Sequence, residues 1–203
     1  MTTLLRIYSG IRIVPLCDEI SREIKINASK ALNGDGTCSL TNMHSSCFAS
    51  ETCAHGLTPS MQLDSLQKDM YAFVAICDIQ PDGFRGLTNN SYDFVGCVSA
   101  STPSPHMKTL FPQLNDECLV ISNLCVAEAY RRFGVGKMLI ECVHNVQNNT
   151  NCYLLVAKNI SKHDLNLSVV FDKRVDRLMK TYSKLSFTPV YECEQAFLLQ
   201  HVV

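Results

Sequence analysis

The spacing of apolar and polar positions changes period several times along the chain, and those changes predict its elements. Ile11-Arg12-Ile13-Val14 reads as a short strand. Asp18 is placed to cap a helix whose apolar positions Ile20, Ile24 and Ala28 recur every four residues. Asn33-Gly34-Asp35-Gly36 is a turn, and Cys47 to Leu57 and Met61 to Lys68 fit short helices. Tyr71 to Ile79 and Tyr92 to Ala100 are rich in aromatic and β-branched residues, which predicts two strands. Pro81-Asp82-Gly83 marks a long hairpin loop between them. Ser101 to Asp116 carries three prolines and reads as an ordered excursion, after which Glu117 to Val126 is a strand again.

Beyond that strand the period lengthens. From Val135, apolar residues at Met138, Leu139, Cys142, Val143 and Val146 give a helix with one buried stripe. Cys152 to Ala157 has the continuous apolar character of a buried strand. Residues 160–171 read as an insertion, and Phe171, Val175, Leu178, Tyr182 and Leu185 trace a second helical stripe. Strands follow near Phe187–Tyr191 and Gln195–Val202. Strands, then helix, strand, helix, strand, strand is the pattern of an α/β (α+β) layer with a sheet of mixed direction. The strand ending at Val126, its crossover helix and the Cys152 strand suit a right-handed parallel unit.

Composition narrows the function. The chain has 203 residues, 46% of them hydrophobic and 18% charged, which is enough for a folded core and excludes disorder as the main state. Eighteen Lys and Arg against 19 Asp and Glu leave a net charge of −1, which argues against a nucleic-acid binder that must displace counterions. No segment approaches the roughly 18 continuous apolar residues of a membrane span, and no polybasic patch stands in for one. No signal peptide, myristoylation glycine or prenylation box is recognised, so the expected compartment is the cytoplasm. There the 11 cysteines would be reduced and the five glycosylation sequons incidental.

The most informative stretch runs from Leu124-Cys125-Val126 through Ala127-Glu128-Ala129-Tyr130-Arg131-Arg132-Phe133 to Gly134-Val135-Gly136-Lys137. Here a strand enters a loop whose two glycines open a helix. Missing Cβ atoms at 134 and 136 allow a ligand close to the backbone. The first helical turn offers N–H groups and a positive dipole end to a phosphate, and Arg131, Arg132 and Lys137 add positive charge. This is neither a Walker loop, since Met138 follows Lys137, nor the dinucleotide fingerprint, since Leu139 stands where a third glycine belongs.

Arg131-Arg132-Phe133-Gly134-Val135-Gly136 resembles the [Gln/Arg]-x-x-Gly-x-[Gly/Ala] signature of the GNAT superfamily of N-acetyltransferases. Tyr182-Ser183-Lys184-Leu185-Ser186-Phe187 is similar to that family's Tyr-x-x-x-Gly-Phe ending of its last helix, with Ser186 in place of the glycine. Element order fits from Ile11 to the C-terminus. The resemblance implies a single domain over 1–203 with a mixed, mostly antiparallel sheet of six or seven strands and helices on both faces. Its CoA-binding core would span about 117–190, and segments near 33–68 and 101–116 would shape the acceptor site.

The resemblance also implies chemistry: acetyl-CoA as cosubstrate, no metal, and a primary amine on a small molecule or a protein as acceptor. A non-catalytic acyl-CoA-binding module is the alternative, and the protein would be a monomer or homodimer. By position, the backbones of Leu124, Cys125 and Val126 would run beside the pantetheine arm, and amides from Arg132 to Lys137 would hold the pyrophosphate. Asn159 would serve the arm as well. Tyr182 matches the tyrosine that protonates the departing sulfur. For the base, Cys47-Phe48-Ala49-Ser50-Glu51 resembles a Phe-x-x-Glu-Pro segment of the arylalkylamine branch, with Thr52 in place of proline. Ser122 shares a face with Leu124 and Val126 by strand alternation and is the other candidate, as a relay or an orienter of water.

Other constellations carry less. His44, Cys47, Cys53 and His55 cluster with Cys38, yet their spacing fits no zinc pattern. Cys77, Cys97, Cys142 and Cys152 fall on apolar faces and read as core. His106 and His144 read as surface histidines.

Overall fold

A strand buried on both faces marks the middle of a sheet, and Phe94 to Ala100 are all buried in succession. The fold is seen in a computed structural model that describes residues 10–16, 69–78, 92–146, 151–158 and 165–202. Its strands are β1 (Ile11–Pro15), β2 (Tyr71–Asp78), β3 (Tyr92–Ser101), β4 (Leu119–Val126), β5 (Cys152–Ala157), β6 (Phe187–Glu192) and β7 (Ala196–His201). Its helices are α1 (Pro105–Leu110), α2 (Val135–Val146) and α3 (Leu165–Ser183). Strand pairing follows the order β1-β2-β3-β4-β5-β7-β6, one sheet of seven strands. The β4–β5 ladder is parallel, whereas β1–β2, β5–β7 and β6–β7 are antiparallel. The expected α/β layer with a mixed, mostly antiparallel sheet is therefore the fold.

The chain forms two compact units, one of residues up to Ser99 with Asn123–Val146, the other of Ala100–Ser122 with the residues from Gln147 on. In the first, β1 pairs with β2 from Ile11 opposite Cys77 to Pro15 opposite Phe73. Val74, Ile76, Phe94, Cys97 and Cys125 make one buried cluster, with Val14, Leu16, Ala72 and Ala127 packed on it. Helix α2 buries Val135, Leu139, Ile140 and Val143; of the expected stripe Leu139 and Val143 are buried, Met138 and Cys142 half-buried and Val146 exposed, and Ile140 joins the buried face.

In the second unit, β5 pairs with β4 from Leu119 opposite Cys152 to Ile121 opposite Leu154, and with β7 from Tyr153 opposite Gln200 to Ala157 opposite Ala196. Phe111, Leu114, Cys118, Val120, Tyr153, Ala196 and Leu198 form its core cluster. The proline-bearing excursion contains a helix. Ser104 caps α1 by accepting the Met107 amide at 3.3 Å, and Pro105 takes the first helical position, where its missing N–H costs nothing. Phe111 leaves α1 to meet Tyr191 of β6 edge-on, with ring centroids 5.9 Å apart. Of the segment read as an insertion over 160–171, residues from Leu165 on belong to α3 instead. Leu167 precedes Phe171 by four residues and so continues the same helical spacing backwards.

The early helices expected at 18–28, 47–57 and 61–68 lie outside the described residues, as do the Pro81-Asp82-Gly83 loop and the Cys38–His55 cluster. Among the described residues, no helix is long and apolar enough to cross a membrane, and no three side chains are grouped to hold a metal ion.

Candidate functional site

Strand β4 does not stop abruptly. The Ala127 amide still donates to the Val95 carbonyl of β3 at 2.9 Å, and a single 3-10 turn over Glu128–Tyr130 then redirects the chain. Arg131 closes that turn: its amide reaches the Glu128 carbonyl at 3.2 Å, and its Nε donates to the Val126 carbonyl at 3.1 Å. Its guanidinium is thereby folded back on the strand end. Arg132 follows with φ at 70° and Gly134 with φ at 81°, both left-handed. Two such residues two positions apart turn the chain sharply enough for α2 to start at once.

The Met138 amide donates to the Gly134 carbonyl at 3.0 Å, the first helical bond of α2. The amides of Val135, Gly136 and Lys137 therefore have no acceptor within the helix. Gly136 is half-buried in this first turn and presents backbone where any other residue would present a Cβ. Arg131, Arg132 and Lys137 are all exposed. Lys137 keeps 72% of its side chain in solvent and stands 3.7 Å from Glu141, a weak pairing one turn along. Phe133 is half-buried and Val135 is buried, so the turn is anchored on apolar packing.

Strand β4 itself departs from regularity. Asn123 has φ at 53°, a left-handed residue in the middle of a strand. Such a residue rotates the chain locally. Leu119, Val120 and Ile121 are buried, Ser122, Asn123 and Leu124 are half-buried, Cys125 is buried and Val126 is half-buried again. Asn123 Nδ2 donates to Ser99 Oγ at 2.9 Å and lies 3.4 Å from Asp69 Oδ2. None of these three residues stands out in the sequence, where Ser99 is one of two serines at the end of β3.

Tyr182 stands near the end of α3, half-buried, with its ring edge-on to Phe187 at 6.1 Å. Phe187 is fully buried and tilts against the His201 ring at 4.9 Å. Burial draws the Arg174 guanidinium below its ordinary pKa and the Tyr182 phenol opposes that, so the two groups sense one another on α3. After the helix, Ser186 has φ at 63°. The position where the resemblance calls for glycine is left-handed, which glycine adopts without strain and serine does not. The Ser186 carbonyl accepts the Val202 amide at 2.8 Å, tying the helix end to the chain beyond β7.

Glu51 and Asn159 lie outside the described residues. Of the cysteines expected in the core, Cys97 and Cys152 are buried and Cys77 and Cys142 are half-buried, and none of the four is in a disulfide. His106 is exposed on α1 and His144 half-buried on α2.

The acetyltransferase (GNAT) family matches residues 50–165. No curated protein sequence matches the chain. Among solved structures, Arabidopsis thaliana NAA60 in complex with a bisubstrate analogue is 16% identical, with a TM-score of 0.51 over 95% of this chain and 99% of that one. PH1933 from Pyrococcus horikoshii is 15% identical, with a TM-score of 0.53 over 94% and 97% of the two chains. A GNAT-family acetyltransferase from Staphylococcus aureus Mu50 is 13% identical, with a TM-score of 0.52 over 94% and 99%. At these identities the likeness is one of fold. The family match spans more than half of the sequence and includes the whole strand-turn-helix segment, and the chain belongs to the GNAT family of acetyltransferases.

Proposed function

We propose that the protein moves the acetyl group of acetyl-CoA directly to a primary amine. The observation that carries this reading is the turn from β4 into α2, where left-handed Gly134 and half-buried Gly136 leave the first amides of the helix approachable. Two phosphates bridged by oxygen suit that donor set, with Arg132 and Lys137 supplying charge beside it. Amides from Arg132 to Lys137, including those of Phe133, Val135 and Gly136, hold the pyrophosphate, and Asn159 assists with the arm. Arg131 shapes the turn through its bond to the Val126 carbonyl.

Acetyl-CoA, when bound, supplies a thioester whose carbonyl carbon is open to a nucleophile. The main chain of Leu124, Cys125 and Val126 lies beside the pantetheine arm, and an N–H there faces the carbonyl oxygen as negative charge grows on it. Fixed donors of this kind lower a barrier because they need no reorientation during the reaction. The amine nitrogen bonds to the carbonyl carbon and the carbon–sulfur bond breaks. Tyr182 gives its proton to the leaving sulfur, and the electrostatic influence of Arg174 favours the phenolate left behind. The proton lost by the amine passes to Glu51 through water, or to solvent ordered near Ser122.

A small arylalkylamine is the first acceptor to test, with a protein lysine or N-terminus as the alternative, in a cytoplasmic protein that is a monomer or a homodimer. Incubation with acetyl-CoA and a panel of both amine classes, with products identified by mass, tests the reading. Acetylation of at least one class above the uncatalysed rate is expected. Tight binding of CoA without turnover of any amine would instead favour an acyl-CoA-binding module.

A further inference from the structure

Three residues far apart in sequence meet where β4 changes conformation. Ser99 on β3 is fully buried, the only polar side chain so placed among the described residues. Its hydroxyl donates to Asp69 Oδ2 and accepts from Asn123 Nδ2 at 2.9 Å. Asn123 Nδ2 also lies 3.4 Å from the same Asp69 oxygen, so the three side chains form a closed triangle. The main chain of Asn123 is held too, since its carbonyl accepts the Cys97 thiol at 3.4 Å.

A cluster like this is costly unless it does something. A buried hydroxyl and a half-buried carboxylate lose hydration, and an apolar pair at 99 and 123 would pack a sheet equally well. A left-handed residue is likewise strained outside glycine, with asparagine the best tolerated of the rest. Strain of this sort persists only where the surroundings over-determine it. Here they do, with bonds to both the side chain and the carbonyl of a single residue. Immediately after Asn123 come Leu124, Cys125 and Val126, the stretch whose main chain is assigned to the thioester.

We propose that Asp69 and Ser99 are positioning residues for acyl transfer: they lock Asn123 in its left-handed conformation and so aim the main-chain groups of Leu124, Cys125 and Val126. The inference rests on the acetyltransferase reading above and deepens it. Neither Asp69 nor Ser99 meets the reacting atoms; both act through Asn123. Asp69 supplies a charged acceptor, the stronger kind of hydrogen-bond partner, and Ser99 transmits it across β3.

The test uses Ser99→Ala and Asp69→Ala in the full chain. Each is expected to lower kcat for acetyl transfer about tenfold, while the Kd for CoA, set largely by the turn at Gly134, moves less than about threefold. Amide hydrogen exchange at Leu124, Cys125 and Val126 should quicken in both variants. Adding Asn123→Gly to Ser99→Ala supplies the left-handed conformation without the triangle, and should bring kcat back to within about threefold of the wild type. If Ser99→Ala folds poorly, Asp69→Ala at the half-buried carboxylate, alone and paired with Asn123→Gly, still decides. Unchanged kcat per folded molecule and unchanged exchange, with only the melting temperature lowered, would overturn the proposal. A wild type that neither binds nor turns over acetyl-CoA would overturn the functional reading itself, a failure distinct from that of the lock.

Discussion

A Cβ placed on Gly96 of β3 would stand 2.9 Å from the carbonyl oxygen of Cys125 on β4, and 3.1 Å from Leu139 Cδ1 on α2. The first neighbour is backbone and has nowhere to turn. Gly96 therefore sets how closely β3, β4 and α2 approach one another in the unit that carries the candidate phosphate turn. Gly96→Ala is expected to destabilise the fold by about 2 kcal/mol through overpacking, read as a lower midpoint in urea denaturation. A variant of wild-type stability would mean that this close approach is relaxed in solution.

The two glycines of the turn separate in their effects. Gly134 is left-handed, so Gly134→Val strains the backbone and lowers both stability and CoA affinity. Gly136 lies within α2, where alanine is the better helix former by about 1 kcal/mol. Gly136→Ala, which the signature admits, should keep or raise the melting temperature with CoA affinity within about threefold, whereas the bulkier side chain of Gly136→Val occupies the approach to the amides and should weaken CoA binding about tenfold. Calorimetric titration of CoA against these variants checks this. Full affinity in Gly136→Val would move the pyrophosphate elsewhere.

Serine at the left-handed end of α3 makes the opposite kind of forecast. Ser186→Gly relieves the strain at φ 63° but frees the unfolded chain as well. The balance is an expected gain of about 0.5–1 kcal/mol in denaturant unfolding. A loss would show that the serine side chain contributes more than its backbone costs.

How much of this could be read in the sequence depends on how local each signal is. The strand-turn-helix from Leu124 to Lys137 was readable because glycines, basic residues and a change of period follow one another directly, and α2 spans Val135–Val146 where its stripe predicts. Helix α1 starts at Ser104-Pro105, a cap and first-turn pair, within the segment that its three prolines marked only as an ordered excursion. The left-handed Asn123 had no local signature. It is held by Ser99, 24 residues before it, and by Asp69, 54 residues before it, partners that only the fold brings to it. Gly96 escaped for the same reason: its neighbours across β4 and α2 become neighbours only in the fold.

Burial of thiols gives a pH dependence with a definite sign. The Cys152 thiol is pushed up from 9.0 to about 11, first by burial and then by neighbouring Cys118. Its folded pKa lies above its unfolded one, so its contribution to stability is intact below pH 9.0 and is lost as pH rises toward about 11. Thermal unfolding followed from pH 8 to about 11 should show a steepening loss of stability that is shallower in Cys152→Ala, whatever that variant's starting stability. Equal slopes would assign the alkaline loss to other groups.

The most direct measurement is the steady-state rate of acetyl transfer from acetyl-CoA to the best amine of the panel, for the wild type and Tyr182→Phe together. Acetylated product must be followed by mass, because the chain's own 11 cysteines react with thiol reagents and obscure CoA release. The expected result is turnover by the wild type and a kcat lower by at least about tenfold in Tyr182→Phe, with CoA affinity unchanged within about twofold. An active wild type matched by an equally active Tyr182→Phe would remove Tyr182 from the chemistry, and the absence of both CoA binding and turnover would contradict the account as a whole.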